Sequence, residues 1–176
     1  MFRRSPMSEP AQQLYQIIVD HARRPEFYLK AGIADSLDGR FDMIALHAFF
    51  VMYHLKHDPR EGRALSQALF DVMFGQIDQG LRQAGAGDLG IGKRIKAMVS
   101  AYYGRVRAYE RGVAAEDAVL EEALRRNLYR AAEPDPVTLA LMVDYVRRQS
   151  KGVAAQPVAD LLAGRLRFEP LMLSTG

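Results

Sequence analysis

The sequence contains no cysteine and no tryptophan. Without thiols there are no disulfides, no thiolate metal sites and no cysteine nucleophile, a composition that suits a reducing compartment. No apolar run approaches the roughly 18 residues that cross a bilayer, and residues 1–9 lack the hydrophobic core of a secretory signal. The expected location is therefore cytoplasmic, with any membrane contact peripheral, at the inner face of the cytoplasmic membrane. No stretch alternates apolar and polar residues as a half-buried strand does, and there is no internal repeat or low-complexity tract. What remains is a 176-residue chain, 49% hydrophobic, long enough to bury one substantial core.

Periodicity reads helical nearly throughout, and the expected fold is all-α, a single domain of seven or eight helices. A loose start over residues 1–7 precedes the domain at 8–168, and residues 169–176 form a tail. Ser8 is placed to cap a first helix with Pro10 in its first turn, and Leu14, Ile17, Ile18 and His21 mark its buried side. Asp38 is placed to cap the next long element. Phe41 to Lys56 is apolar almost all round, the pattern of a central core helix, and Asp58-Pro59 breaks it. Another helix runs from about Glu61 to Gln83. Downstream, Glu133-Pro134-Asp135-Pro136 is the clearest break, with Asp135 as cap and Pro136 at the first helical position. Gly152 is expected to close that helix, before a last short one from about Gln156 to Leu166.

Between Gly85 and Tyr109 a glycine-rich turn runs into a two-faced helix. Gly87-Asp88-Leu89-Gly90-Ile91-Gly92-Lys93 satisfies part of a nucleotide phosphate loop. Arg94 stands where a Ser or Thr hydroxyl should ligate magnesium, Asp88 puts a carboxylate inside the turn, and the preceding residues are helix-patterned rather than a buried strand. The better reading is a helix stop at Gly85 and Gly87, with Asp88 capping the next helix. On that helix Ile95, Met98, Val99, Tyr102, Val106 and Tyr109 share one face, and Lys93, Lys96, Ser100, Tyr103, Arg107 and Arg111 the other. Six basic residues (Lys93, Arg94, Lys96, Arg105, Arg107, Arg111) stand against Asp88 and Glu110. The whole chain is only +3, so the basicity is local to this element and marks either a solvated face or an interaction surface.

Nothing commits to a reaction. His47, His54 and His57 cluster in sequence, but no H-E-x-x-H or comparable ligand spacing accompanies them, so no metal and no cofactor is expected. His47 lies inside the most apolar helix, where an imidazole needs a hydrogen-bond partner. Ser36, Ser66, Ser100 and Ser150 lack the strained turn of a nucleophile.

The segments D-S-L-D-G-R-F-D-M-I-A-L-H-A-F-F-V-M-Y-H-L (Asp35 to Leu55) and L-F-D-V-M-F-G-Q-I-D-Q-G-L-R-Q-A-G-A-G-D-L-G-I-G-K-R-I-K-A-M-V-S-A-Y-Y-G-R (Leu69 to Arg105) resemble the ubiquinol-cytochrome c chaperone family, bacterial relatives of the mitochondrial cytochrome b assembly factor. The resemblance covers roughly residues 30–112. It implies a non-enzymatic assembly chaperone that binds newly made cytochrome b and promotes its haem insertion and incorporation into the cytochrome bc complex. It also implies a ribosome or a second assembly factor as partner, although the long N-terminal region of the mitochondrial members is not seen here. The expected contact residues are Arg40, His47, Lys93, Arg94, Lys96, Tyr103, Arg105 and Arg107. The competing reading of the basic helix is an RNA- or ribosome-binding module, whose binding would weaken steeply with salt.

Overall fold

The structure is a computed structural model that describes residues 5–173. Among these residues the chain forms eight α-helices and one π-helical turn, with no strand. They are α1 (Ser8–Ala22), α2 (Pro25–Leu29), α3 (Leu37–Leu55), α4 (Glu61–Gln83), α5 (Asp88–Ala114), α6 (Asp117–Leu124) running directly into the π-turn (Arg125–Tyr129), α7 (Pro136–Ala154) and α8 (Val158–Leu162). The all-α expectation holds. The loose start and the tail expected at the two ends fall partly outside the described residues; Ser5 to Met7 form a turn in which the Ser8 N–H donates to the Ser5 carbonyl.

The architecture follows from α3. Its residues from Phe41 to Val51 are all buried, which only a helix covered on every side achieves. Around it pack α1, α4, α5, α7 and the π-turn. The helix starts four residues earlier than its apolar pattern indicates, because Ser36, not Asp38, is its cap. The Ser36 hydroxyl accepts the Gly39 N–H at 3.0 Å, while Asp38 sits inside the first turn, 3.8 Å from the Arg130 guanidinium. Gly39 is required by a close approach, since a Cβ there would lie 1.9 Å from the Ala34 carbonyl oxygen. The D-G-R-F segment is thus a helix entry, with Phe41 buried and Arg40 paired to Asp35 at 2.8 Å.

The turn between α4 and α5 is a helix stop, as its glycines indicate. Gly85 takes a left-handed φ of +86°, and Gly87 is the extended cap residue of α5. Asp88 is therefore not the cap. It is the first helical residue, makes no capping bond, and pairs with Arg82 at the end of α4, joining the two helices across the turn.

In α7, Asp135 caps as expected, accepting the Val137 and Thr138 N–H groups. The helix does not end at Gly152 but continues to Ala154. That glycine serves packing instead: the returning tail brings Glu169 within 3.6 Å of where its Cβ would be. Similarly, Ser8 is the first residue of α1 rather than its cap, the N-cap position falling to Met7 with no side-chain capping bond, and the last helix is only Val158–Leu162. The tail is tied down by amide side chains. Gln149 donates to the Glu169 carbonyl and accepts its N–H, and Gln156 does the same for Arg167.

Candidate functional site

Two polar clusters lie inside the apolar core, and each contains a residue the sequence motif had placed on a binding surface. The first centres on Asp42, which has no exposure at all. One carboxylate oxygen accepts from Arg105 at 2.8 Å and from Arg130 at 2.9 Å; the other accepts the Arg130 Nε–H at 2.7 Å. Guanidinium groups only donate, so both oxygens act as acceptors, which is the ionised form. Burial pushes the Asp42 carboxyl up from its ordinary value, against the pull of Arg130 and Arg105. Arg130 reaches this position because the π-turn ends in a left-handed residue, Arg130 itself at φ 56°. Local strain of this kind costs of order 1 kcal/mol or more, and here the ion pair offsets it. Arg105 is therefore a core residue, 8% exposed at its side chain, not a surface contact.

Tyr109 lies beside this cluster, fully buried, with a hydroxyl that has no hydrogen-bond partner among the described residues. Burial raises its phenol well above the ordinary value. Removing an unsatisfied hydroxyl relieves a desolvation cost. Tyr109→Phe is accordingly expected to be neutral or stabilising by up to about 1 kcal/mol in urea denaturation; a loss of stability would show that the hydroxyl has a partner in solution.

The second cluster joins α1, α3 and α7. His47 is completely buried. Its Nδ1 lies 2.7 Å from the Met43 carbonyl, and its Nε2 lies 2.6 Å from the Tyr145 hydroxyl. A carbonyl can only accept, so Nδ1 carries the proton and Nε2 accepts from Tyr145; the tautomer is assigned from these bonds. The Tyr145 oxygen is then left to accept from His21 Nε2 at 2.9 Å. Phe168 of the tail covers both imidazoles, with centroids 4.9 Å from His21 and 5.1 Å from His47. Burial, and the neighbouring His21, bring His47 down to about 3; burial and Arg24 bring His21 down to about 4, against the Glu169 carbonyl and Glu26. His47 is thus part of a buried relay and touches no surface. The sequence marked His21 for burial but gave no sign of Tyr145 as its partner, 124 residues away, nor of Asp42 and Arg130.

The remaining motif residues do reach solvent. Along α5, Lys93, Arg94, Lys96, Tyr103, Arg107 and Arg111 are all exposed. Both acidic residues of the helix are taken by cations from elsewhere, Asp88 by Arg82 and Glu110 by Lys56. The five exposed α5 cations have no ion-pair partner among the described residues, so the helix presents uncompensated positive charge. Tyr103 lies stacked on Phe70, centroids 5.7 Å apart, on the wall of a groove of about 410 Å³ between α3, α4 and α5. Met52, Tyr53, Phe70 and Val106 supply its apolar lining, with Lys56, Arg63 and Glu110 at the edge. Arg40 and Arg94 border a separate hollow at the other end of α5.

Among the histidines, His54 is bonded to the Gln156 carbonyl. Asp58, four residues on, is held below its ordinary value by the Gly62 and Arg60 N–H groups it accepts. Each member of that i, i+4 pair has its own protein partner. No cluster of three or more metal-ligating side chains occurs among the described residues.

The sequence profile of the family described as ubiquinol-cytochrome C chaperone matches residues 29–168. The chain belongs to that family. The matched span runs from Leu29 at the end of α2 to Phe168, so it contains the Asp42 cluster, His47, Tyr145 and the whole of α5, but not His21. The chain is similar to the ubiquinol-cytochrome-c reductase complex assembly factor 1 of Xenopus laevis, 26% identical over 163 residues, which are 92% of this chain and 82% of that protein. The Homo sapiens assembly factor is likewise 26% identical over 163 residues. The chain spans about half the length of the human and mouse relatives, 54% and 55%. Its fold matches the crystal structure of the Cbp3 homolog from Brucella abortus, with a TM-score of 0.82 and 31% identity over 94% of this chain and 92% of that one. Members of this family are chaperones rather than enzymes, in keeping with a site made of charge and shape instead of reacting groups.

Proposed function

We propose that this chaperone assists assembly of the ubiquinol-cytochrome c reductase complex by binding newly made cytochrome b and holding it ready for haem insertion and incorporation. The observation that carries the reading is the α5 face. Its exposed cations have no carboxylate partner among the described residues, and an aromatic groove adjoins them at Tyr103. Such a face suits a membrane-protein client: the groove accepts an apolar side chain, while the lysines and arginines suit exposed helix C-termini, carboxylates and the anionic headgroups beside it. Lys93, Lys96, Tyr103 and Arg107 are the contact residues in this reading. A peripheral position at the membrane, and a ribosome or second assembly factor as partner, are compatible with the same surface.

The RNA-binding alternative draws on the same cations. It requires binding to RNA that falls steeply with salt. The genetic experiment separates the two: a deletion strain is expected to lose the ubiquinol-cytochrome c reductase complex while retaining its other respiratory complexes. A strain with that complex at normal level, or with all complexes reduced together, sets the assembly reading aside.

A further inference from the structure

The hollow at the start of α5 has a composition that the assembly reading does not use. Its floor comes from four helices: Val19, Phe41, Ile44, Ile77, Leu81 and Met98. Val19, Phe41, Ile44 and Leu81 each retain 7–8% exposure, whereas Leu14, Ile18, Met43 and Leu69 just behind them have none. The hydrophobic core therefore opens to the outside at this point. The volume is about 450 Å³, within the range of sites that hold small organic ligands.

The rim is of one sign. Arg23, Arg40 and Arg94 line the hollow, and no carboxylate does. Arg40 is engaged by Asp35; Arg23 and Arg94 have no ion-pair partner among the described residues. Arg23 and Arg40 also border a second hollow with Tyr28 and Leu29, whose one carboxylate, Asp35, is the partner of Arg40, so the two run together across one face. On that face Leu29 is 78% exposed and Leu37 is 62% exposed. An apolar channel flanked by free guanidinium forks is complementary to a molecule with a hydrocarbon tail and an anionic head offering paired oxygens. The apolar floor calls for a hydrocarbon tail and the guanidinium rim for an anionic head, and a phospholipid supplies both in one molecule. Exposed leucines beside basic residues are also what a protein lying on a headgroup layer presents.

We infer that this groove takes one acyl chain of an anionic phospholipid at a membrane surface, with Arg23 and Arg94 holding the phosphate and Leu29 and Leu37 entering the headgroup layer. The site is distinct from the Tyr103 groove and does not depend on what the client is.

The test is flotation of the full-length protein with vesicles of phosphatidylcholine alone and of phosphatidylcholine mixed with phosphatidylglycerol. Binding is expected only to the mixed vesicles. Arg23→Glu with Arg94→Glu should lower the bound fraction by roughly tenfold or more, given what each basic residue contributes at an anionic surface. Leu29→Ser with Leu37→Ser, at two solvent-facing positions, should lower it severalfold with helicity unchanged. The same charge reversal at Arg126 and Lys151, two exposed cations off α5 that line neither hollow, should leave binding within about twofold. Equal binding to neutral vesicles, equal loss from both charge-reversed pairs, or an absence of vesicle binding overturns the assignment. Capture of a soluble acidic protein through Arg23 and Arg94 instead would give the groove to a protein partner and overturn it too. The assay contains no cytochrome b, so its failure leaves the assembly reading untouched.

Discussion

Asp42→Ala is expected to destabilise the protein by about 3–5 kcal/mol, the usual cost of removing one partner from a buried ion pair. In a chain of this size that lowers the unfolding midpoint by roughly 10 °C. The carboxylate is the sole ion-pair partner of Arg105 among the described residues, and the Arg105 side chain, reaching from α5 to α3, has almost no access to water. Without it the Arg105 charge is stranded in the core, and the π-turn loses the anchor that holds Arg130 in its left-handed conformation. The matching change at the other end should be milder. Arg130 is 43% exposed at its side chain, so Arg130→Ala strands no buried cation and leaves Asp42 still paired with Arg105, at a cost of about 1–3 kcal/mol for the buried carboxylate oxygen left without its donor. Thermal and urea denaturation of the two variants decide the matter. Equal losses, or an Asp42 variant as stable as the parent, would show that the triad does not organise the core.

Acid should act through the histidine relay. In the unfolded chain His21 and His47 take up protons near pH 6.5, whereas in the folded chain they resist until about 4 and about 3. Across that interval the unfolded state binds more protons, so stability is fully present above about 6.5 and is lost as pH falls. For His47 the loss accumulates to on the order of 4 kcal/mol by the time the folded value is reached, at about 1.4 kcal/mol per pH unit. The slope between pH 6.5 and 5 is the cleanest measure, since most carboxylates there remain ionised in both states. His47→Gln removes one of the two protons and should reduce that slope by about half, whatever its effect on stability at neutral pH. A parent protein whose urea midpoint is flat over this interval would mean that the imidazoles are solvated and that Tyr145 does not bridge them.

Both effects rest on residues whose roles were only half legible in sequence. The long helices were readable because their signals are local: the apolar girth of α3, the opposed faces of α5, and Asp135-Pro136 at the start of α7. The exposed face of α5 was sorted correctly by helical periodicity, so Lys93, Lys96, Tyr103 and Arg107 are where the pattern put them. Arg105 was not, because periodicity places it at the edge of the buried stripe and a lone arginine there looks like another surface cation. Its burial depends on Asp42 and Arg130, 88 residues apart, and nothing local announces that pairing. His47 posed the same difficulty: the sequence demands a partner for it, and Tyr145 supplies one from a helix 98 residues away. The cap assignments at Asp38 and Asp88 failed for a smaller reason. An acidic residue in the first turn of a helix favours the positive end of the dipole as well as at the cap itself, and Ser36 and Gly87 occupied the cap position first.

The motif residues thus divide into those that build the chaperone and those that face outward. Arg105 and His47 hold the helices against one another, while α5 turns its unneutralised cations to the outside. The most direct measurement is co-purification of cytochrome b from solubilised membranes with the parent protein and with Lys93→Glu combined with Lys96→Glu. Circular dichroism should confirm that helicity is the same in both. The parent is predicted to retain cytochrome b and the variant to lose it by roughly tenfold or more, because charge reversal at an interface turns attraction into repulsion of several kcal/mol. Undiminished retention by a folded variant would contradict the assignment of the α5 face as the client-docking surface.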